Sequence, residues 1–369
     1  MTSKSISLSV QERLALVKQV GEEIVTEEDF ILLLQEKVKS GERFVAYDGF
    51  EPSGTIHIAQ GLLRVININK MIRAGAHFKM WVADWHAWAN NKMGGDLDKI
   101  KIVGEYFIEV WKAAGLDSNN VEFLWASDAA KDDNYWKIVM QVARANTVKR
   151  IIRTSQIMGR SESDELSAAQ ILYPCMQCAD IFYLGIDVCQ LGMDQRKVNM
   201  LAREVAPSLG YKKPVAVHHH MMMGLVQPPK ADASAVDRTI AMKMSKSNPA
   251  SAIFMTDSPS AVSDKLKKAY CPEGIVAENP VLEYFKYIIF ELNNSVIIER
   301  PEKFGGNLAF NSYDELAAAF AEKKVHPMDV KACAAAYINK ALAPVQSHFQ
   351  TNEKAKKLLA LVQSYPITK

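Results

Sequence analysis

The feature that most constrains this chain is an alternation between residues 44 and 217. Five short apolar runs, Phe44-Val45-Ala46-Tyr47, Met80-Trp81-Val82-Ala83, Val121–Trp125, Ile186–Leu191 and Pro214–Val217, read as strands. The stretches between them, residues 57–73, 96–114, 135–152, 166–184 and on to about 209, repeat apolar residues at helical spacing. Short strands joined through helices need right-handed crossovers, so the pattern predicts an α/β fold with a doubly wound, mostly parallel sheet. Such sheets bind ligands beyond the carboxyl ends of their strands. The loops after Tyr47, Leu191 and Val217 are therefore where chemistry is expected.

The flanks read differently. Residues 1–40 form an N-terminal helical segment, with two apolar patterns between 8 and 39. Residues 41–225 hold the alternating pattern and form the α/β domain. Residues 226–259 read as a mobile linker centred on Pro228–Ser234, rich in Pro, Ala and Ser. From 260 to 369, helical patterns at 260–270, 280–291, 312–322, 329–348 and 352–364 predict a second, all-α domain. Two domains suit a chain of 369 residues.

Several classes are excluded or disfavoured. With 44 basic against 42 acidic residues the net charge is +2, so no global cationic surface argues for a polyanion and no DNA partner is expected. No run approaches 18 continuous apolar residues, so no membrane span is expected. The N-terminus lacks a signal-peptide core, which leads to an expectation of a cytoplasmic protein starting near residue 1. The five cysteines are odd in number and scattered. Cys175 and Cys178 form a C-x-x-C without a second ligand pair, so buried thiols are expected there and no metal site. Neither a Walker-type phosphate loop nor a G-x-G-x-x-G occurs.

The phosphate device is instead Gly54-Thr55-Ile56-His57-Ile58-Ala59-Gln60-Gly61, which follows the first strand and opens a helix. A helix start offers backbone N–H groups and a positive dipole end to phosphate. Gly54 allows close approach, and His57 and Gln60 lie one turn apart; taken alone, the segment also fits a helix with a half-exposed His and Gln. The second device is Lys243-Met244-Ser245-Lys246-Ser247, whose two lysines can present ammonium charges to one polyphosphate or form a solvated basic turn. On the helix 166–184, Tyr173, Gln177 and Asp180 fall at i, i+4 and i+7, a polar stripe within an otherwise apolar helix. Such a stripe needs partners, either solvent or a ligand with an amine, a ring and a hydroxyl.

The two phosphate segments together resemble the H-I-G-H and K-M-S-K-S signatures of class I aminoacyl-tRNA synthetases, with Gln60 in place of the second His. The runs Tyr173–Asp180 and Gly192-Met193-Asp194-Gln195-Arg196-Lys197, with Tyr47-Asp48-Gly49 and Ala83-Asp84-Trp85-His86, are similar to the tyrosyl-tRNA synthetases of the eukaryotic and archaeal branch, closest to compact plant and protist forms without an appended C-terminal domain. The likeness spans residues 12 to 365. It implies a Rossmann-like catalytic domain, a helical anticodon-binding domain and a tyrosine–tRNA ligase using ATP and Mg²⁺. L-tyrosine is activated to tyrosyl-adenylate and then passed to the terminal adenosine of tRNA(Tyr).

Residue by residue, the resemblance implies that Tyr47 and Asp180 bind the phenol hydroxyl. Tyr173, Gln177 and Gln195 hold the amino and carboxylate groups, and Ala83 and His86 complete the tyrosine site. Asp194 with Gly192 holds the ribose, Gly49 and Gly54 leave room for the nucleotide, and Met221 and Met222 offer backbone contacts to adenine. His57 and Gln60 stabilise charge at the α-phosphate, while Lys243, Met244, Ser245 and Lys246 close on the pyrophosphate. Three adjacent histidines, His218-His219-His220, alternate faces on an extended segment and cannot share one ion.

In the second domain, Phe304 and Asp329 are implied to read the first anticodon base by stacking and edge hydrogen bonding. Residues 321–369 hold eight lysines against three acidic residues, which suits either an RNA backbone or a solvated helix face. The segment 115–165 is implied to form a homodimer interface and to approach the tRNA acceptor end. The competing readings are a tryptophanyl-tRNA synthetase, which Tyr47 and Asp180 speak against, a small-molecule nucleotidylyltransferase, and an RNA-binding relative without catalysis.

Overall fold

A computed structural model describes residues 8–159, 165–228, 242, 244 and 248–366. Strands β1 (Gly21–Val25), β2 (Phe44–Phe50), β3 (Ala76–Val82), β4 (Val121–Trp125), β5 (Val188–Gly192) and β6 (Val215–His219) form one sheet in the order β1-β6-β5-β2-β3-β4. β2 to β6 run parallel, as the alternation requires, and β1 joins the edge antiparallel to β6. β1 lies inside the N-terminal stretch read as helical, between helices Val10–Lys18 and Glu27–Ser40. Its sequence, Gly-Glu-Glu-Ile-Val, is half-exposed and carries no clear alternation, so pairing with β6 decides its conformation rather than its own pattern.

The pleat sorts the strands between two cores. Phe44, Ala46 and Phe50 of β2 face a core shared with helices Arg64–Arg73 and Leu97–Ala113. Tyr47, Trp81, Cys189 and Leu191 face another, shared with helices Asp133–Arg144, Ala168–Tyr183 and Arg196–Val205. All five cysteines are buried and free.

Two helical readings change in detail. The stretch 135–152 is broken into Asp133–Arg144 and Val148–Thr154, the latter capped by the Thr147 hydroxyl. The helix expected from residue 57 opens with a wide turn of π type, Ala59–Leu63, before Arg64–Arg73. Gly61 sits in that turn because a Cβ there would lie 2.4 Å from Met255.

The C-terminal region is helical, with helices Pro259–Lys268, Pro280–Tyr284, Tyr313–Ala321, Pro327–Thr351 and Glu353–Ser364. One two-stranded ribbon interrupts it, β7 (Val296–Ile298) with β8 (Leu308–Phe310). Its apolar residues Val330, Ile338, Leu342 and Phe349 continue the first core without a break. The seam carries an ion pair, Lys70 Nζ 2.5 Å from Glu291, and a hydrogen-bonded contact, His348 Nε2 2.9 Å from Glu109.

Candidate active site

β2 pairs with β3 on one side and β5 on the other, so the winding reverses between β2 and β5. A parallel sheet splays its crossovers apart at such a point and leaves a crevice. A cavity of about 270 Å³ opens there, at the carboxyl ends of β2, β3, β5 and β6. It gathers Tyr47, Gly49, His57, Gln60, Ala83, His86, Tyr173, Gln177, Asp180, Gly192, Asp194, Gln195, Met221, Met222 and Met244 from seven separate stretches of chain.

At its deep end, Tyr47, His86 and Asp180 are each about 1 % exposed. The Asp180 carboxylate is held on both oxygens. Tyr135 donates its hydroxyl to Oδ1 at 2.9 Å, and His86 Nε2 lies 3.0 Å from Oδ2. Burial works against a charged His86 ring, but the Asp180 carboxylate beside it outweighs burial and raises the pKa above that of free histidine. Burial, with the Cys189 thiol and Asp180 carboxylate adding to it, holds the Tyr47 phenol far above its ordinary value, so it stays neutral. The Tyr47 hydroxyl is buried without a hydrogen-bond partner among the described residues. An orphaned hydroxyl beside a fixed carboxylate presents a donor and an acceptor to one incoming hydroxyl.

A polar shelf lies above this floor. Gln177 Nε2 donates to Gln195 Oε1 at 3.2 Å, and Gln195 Nε2 donates to the Ile157 carbonyl at 3.1 Å. Gln177 Oε1 is left buried and unpartnered, an acceptor for an ammonium group. Tyr173 packs edge-on to the His86 ring and hydrogen-bonds Glu51, whose carboxylate also accepts from Asn90 Nδ2 at 3.0 Å.

The third region lies where the 54–61 segment meets the sheet. Residues 56–58 pair with residues 253–255: Ile58 N–H donates to the Ile253 carbonyl at 2.8 Å and Met255 N–H to Ile56 at 3.0 Å. The backbone N–H of Gln60 donates to His57 Nδ1 at 3.4 Å, and that of Gly61 to the His57 carbonyl. The N–H groups of residues 58, 60 and 61 are therefore engaged. The His57 and Gln60 side chains, rather than a free helix start, meet the cavity. A Cβ at Gly192 would lie 2.6 Å from Asp194 Oδ1 and Met221 Sδ, so a larger residue there would push those two side chains aside. At Gly49 a Cβ meets only ordinary contacts of 3.7 Å or more, so its own neighbours would tolerate a larger residue. Gly54 has φ +62°, a left-handed turn that suits glycine.

Met244 is buried against the cavity, whereas Lys243, Ser245 and Lys246 lie outside the described residues, as do Arg160 and most of the linker centre. Phe304 and Asp329 do not line the cavity. Phe304 is 62 % exposed on a short turn, which removes core packing as its task, and Asp329 stands in the first turn of helix Pro327–Thr351. The three histidines part company: His218 meets Glu23 at 2.8 Å, His219 meets Gln190 at 2.7 Å, and His220 meets Glu22 at 2.6 Å.

Sequence reasoning passes over Tyr135, Glu51, Trp81 and Arg64, all of which meet this site or its floor. Tyr135 sits on the buried face of an amphipathic helix, where an aromatic residue signals packing. Glu51 follows the strand in a loop and carries no spacing signal.

The family described as tRNA synthetases class I (W and Y) matches residues 39–343. A cytoplasmic tyrosine–tRNA ligase of Arabidopsis thaliana is 51% identical over 99% of this chain and 91% of its own length. That of Sulfurisphaera tokodaii is 40% identical over 94% of each. The tyrosyl-tRNA synthetase of Pyrococcus horikoshii, solved with L-tyrosine, superposes with a TM-score of 0.88 at 38% identity, covering 97% of this chain and all of that one. A tryptophanyl-tRNA synthetase of Aeropyrum pernix, at 20% identity and a TM-score of 0.66, shares the fold alone. On sequence, fold and the cavity that the sheet builds, this chain belongs to the tyrosyl-tRNA synthetases of class I.

Proposed function

We propose that this cavity carries out both half-reactions of a tyrosine–tRNA ligase: activation of L-tyrosine by ATP, then transfer of the tyrosyl group to the terminal adenosine of tRNA(Tyr). The observation that carries the reading is the floor, where the partnerless Tyr47 hydroxyl stands beside a carboxylate held by Tyr135 and His86. A phenol completes that arrangement as donor and acceptor. Phenylalanine would leave both groups buried and unpaired, which costs far more than the missing contact itself. Indole has a donor but no acceptor, so it would leave the Tyr47 hydroxyl unpaired, which disfavours tryptophan.

The rest follows by position. Gln177, Gln195 and Tyr173, with Ala83 and His86 at the wall, hold the amino-acid head above the ring. The tyrosine carboxylate then attacks the α-phosphorus as the bond to pyrophosphate breaks. Asp194, with the Gly192 backbone, takes the ribose, Gly49 and Gly54 leave space for the nucleotide, and the Met221 and Met222 backbone meets adenine. His57 and Gln60 donate hydrogen bonds towards the α-phosphate as charge builds, and Lys243 and Lys246, with Met244 and Ser245 between and beside them, hold the pyrophosphate. Catalysis of this kind is positioning and charge stabilisation. Among the described residues no three His, Cys, Asp or Glu side chains cluster as a metal cage would require. Mg²⁺ is read as carried on the ATP phosphates, where it neutralises charge.

The domain boundaries at about 41, 226 and 260, a cytoplasmic location and a homodimer built on segment 115–165 belong to the same reading. Two relatives bear "cytoplasmic" in their names, no helix among the described residues is long and apolar enough to cross a membrane, and Met140 and Val148 of that segment are exposed. Phe304 and Asp329 would read the anticodon.

The test is ATP–pyrophosphate exchange with single amino acids. Exchange is expected with tyrosine; exchange driven by tryptophan, or by none, would overturn the reading. In the same assays Phe304→Ala should raise KM for tRNA and leave tyrosine-dependent exchange unchanged.

A further inference from the structure

Asp48 and Arg64 have no part in the reading above. Asp48 is fully buried on the face of β2 opposite Tyr47 and Gly49, and Arg64 Nε lies 2.7 Å from its Oδ2. Stability gives such a pair little reason to exist, because apolar residues of similar volume usually serve a core as well or better. The pair is also incomplete. Arg64 Nη1 is buried with no hydrogen-bond partner among the described residues. A buried guanidinium N–H without an acceptor is costly and points to one that arrives from outside the chain.

The two halves face different ways. Arg64 lines the active-site cavity, one turn beyond Gln60 on the same helical run and near His57, while Asp48 does not reach it. Asp48 thus anchors the guanidinium from the face of β2 opposite Tyr47. Arg64 lines the cavity at its nucleotide end, where its charge is felt by His219. His219 is neutral: burial, with the Arg64 charge adding to it, lowers its pKa to about 3. Gln60, for its part, carries no charge. Lys92 and His220 also line the cavity, Lys92 facing Glu51 and His220 facing Glu22 and Glu283; of these cations a guanidinium is the best shaped for an anionic oxygen.

We propose that Arg64 is a further nucleotide-binding residue: held by Asp48, its guanidinium meets the α-phosphate of ATP and supplies the positive charge that Gln60 lacks. This rests on the cavity being the site of tyrosine activation. The charge is in place before the phosphate arrives, so its effect falls on nucleotide binding and leaves the phenol pocket alone.

The experiment compares the wild type with Arg64→Gln and Arg64→Lys by calorimetry with AMP, adenosine and tyrosine, and by exchange kinetics. In Arg64→Gln, AMP binding should weaken about ten- to hundredfold, as expected for losing a charge-assisted hydrogen bond. Adenosine and tyrosine should bind within about twofold of wild type, and KM for ATP should rise while KM for tyrosine holds. Arg64→Lys should recover part of the loss. Equal weakening of AMP and adenosine, or no weakening of either, would overturn the proposal and leave a structural ion pair. If Arg64→Gln does not fold, the double variant Asp48→Asn/Arg64→Gln, which leaves no uncompensated carboxylate, takes its place and is read the same way. AMP and adenosine binding need no turnover, so absence of tyrosine-dependent exchange in the wild type would sink the ligase reading separately.

Discussion

Asp180 is useful to a substrate because its carboxylate cannot turn. Tyr135 fixes one oxygen and His86 the other, so the lone pairs left over point in set directions. Tyr135→Phe should remove one restraint while leaving the ring packing intact. The expected result is a rise in KM for tyrosine and roughly a tenfold loss of preference for tyrosine over phenylalanine, measured as the ratio of kcat/KM values in pyrophosphate exchange. Asp180→Ala should abolish the preference altogether. Legibility at this scale follows spacing. Tyr173, Gln177 and Asp180 share one helix, so their common face can be read from residue numbers. Tyr135 reaches the same carboxylate from 45 residues away through the packing of two helices, and nothing in its own neighbourhood says so. Arg64 and Asp48 are hidden for the same reason: each looks ordinary until the strand and helix are laid side by side.

At the scale of elements, β6 ends in His218 and His219 and is followed by His220, and the partners of the three lie in different places. His220 is the one that ties parts together. Its Nδ1 lies 2.6 Å from Glu22 of β1, and its Nε2 lies 3.1 Å from Glu283 of the C-terminal helices. Burial disfavours the charged ring, but hydrogen bonds to those two carboxylates overcome it and raise the pKa to about 9. A raised folded-state value stabilises the protonated native form. The contribution is therefore whole below about 6.5, the value of an unperturbed histidine, and is lost as pH rises through about 9. His220→Gln should accordingly lower the Tm at pH 6, and the gap to wild type should close above pH 9 in a thermal melt series. A gap that stays constant across that range would remove the ring's charge from the account. The inner strands β5 and β6 were legible because burial on both sides makes them continuous apolar runs. β1 was not, because an edge strand of five residues with two glutamates owes its form to its neighbour. The wide turn at Ala59–Leu63 was hidden too, since it reflects the close approach of Met255 to Gly61.

At the scale of the whole molecule, surface and core point in different directions. Met140 and Val148 stand exposed on the segment proposed for the dimer. A mass in solution of about twice 41.2 kDa is expected by sedimentation, and a monomer at micromolar concentration would defeat that part of the proposal. The general architecture was open to sequence reading because element order dictates layers. The join between the sheet and the C-terminal helices was not, since no local pattern announces which faces will meet. That join has a practical consequence. The apolar interior runs from the sheet into Val330, Ile338 and Phe349, and Lys70–Glu291 and His348–Glu109 cross the boundary. The C-terminal third is thus no interchangeable cartridge. Grafting it onto another scaffold, or fitting a foreign one here, requires recutting matched surfaces on both sides, and a chimera spliced at a linker alone should be poorly soluble.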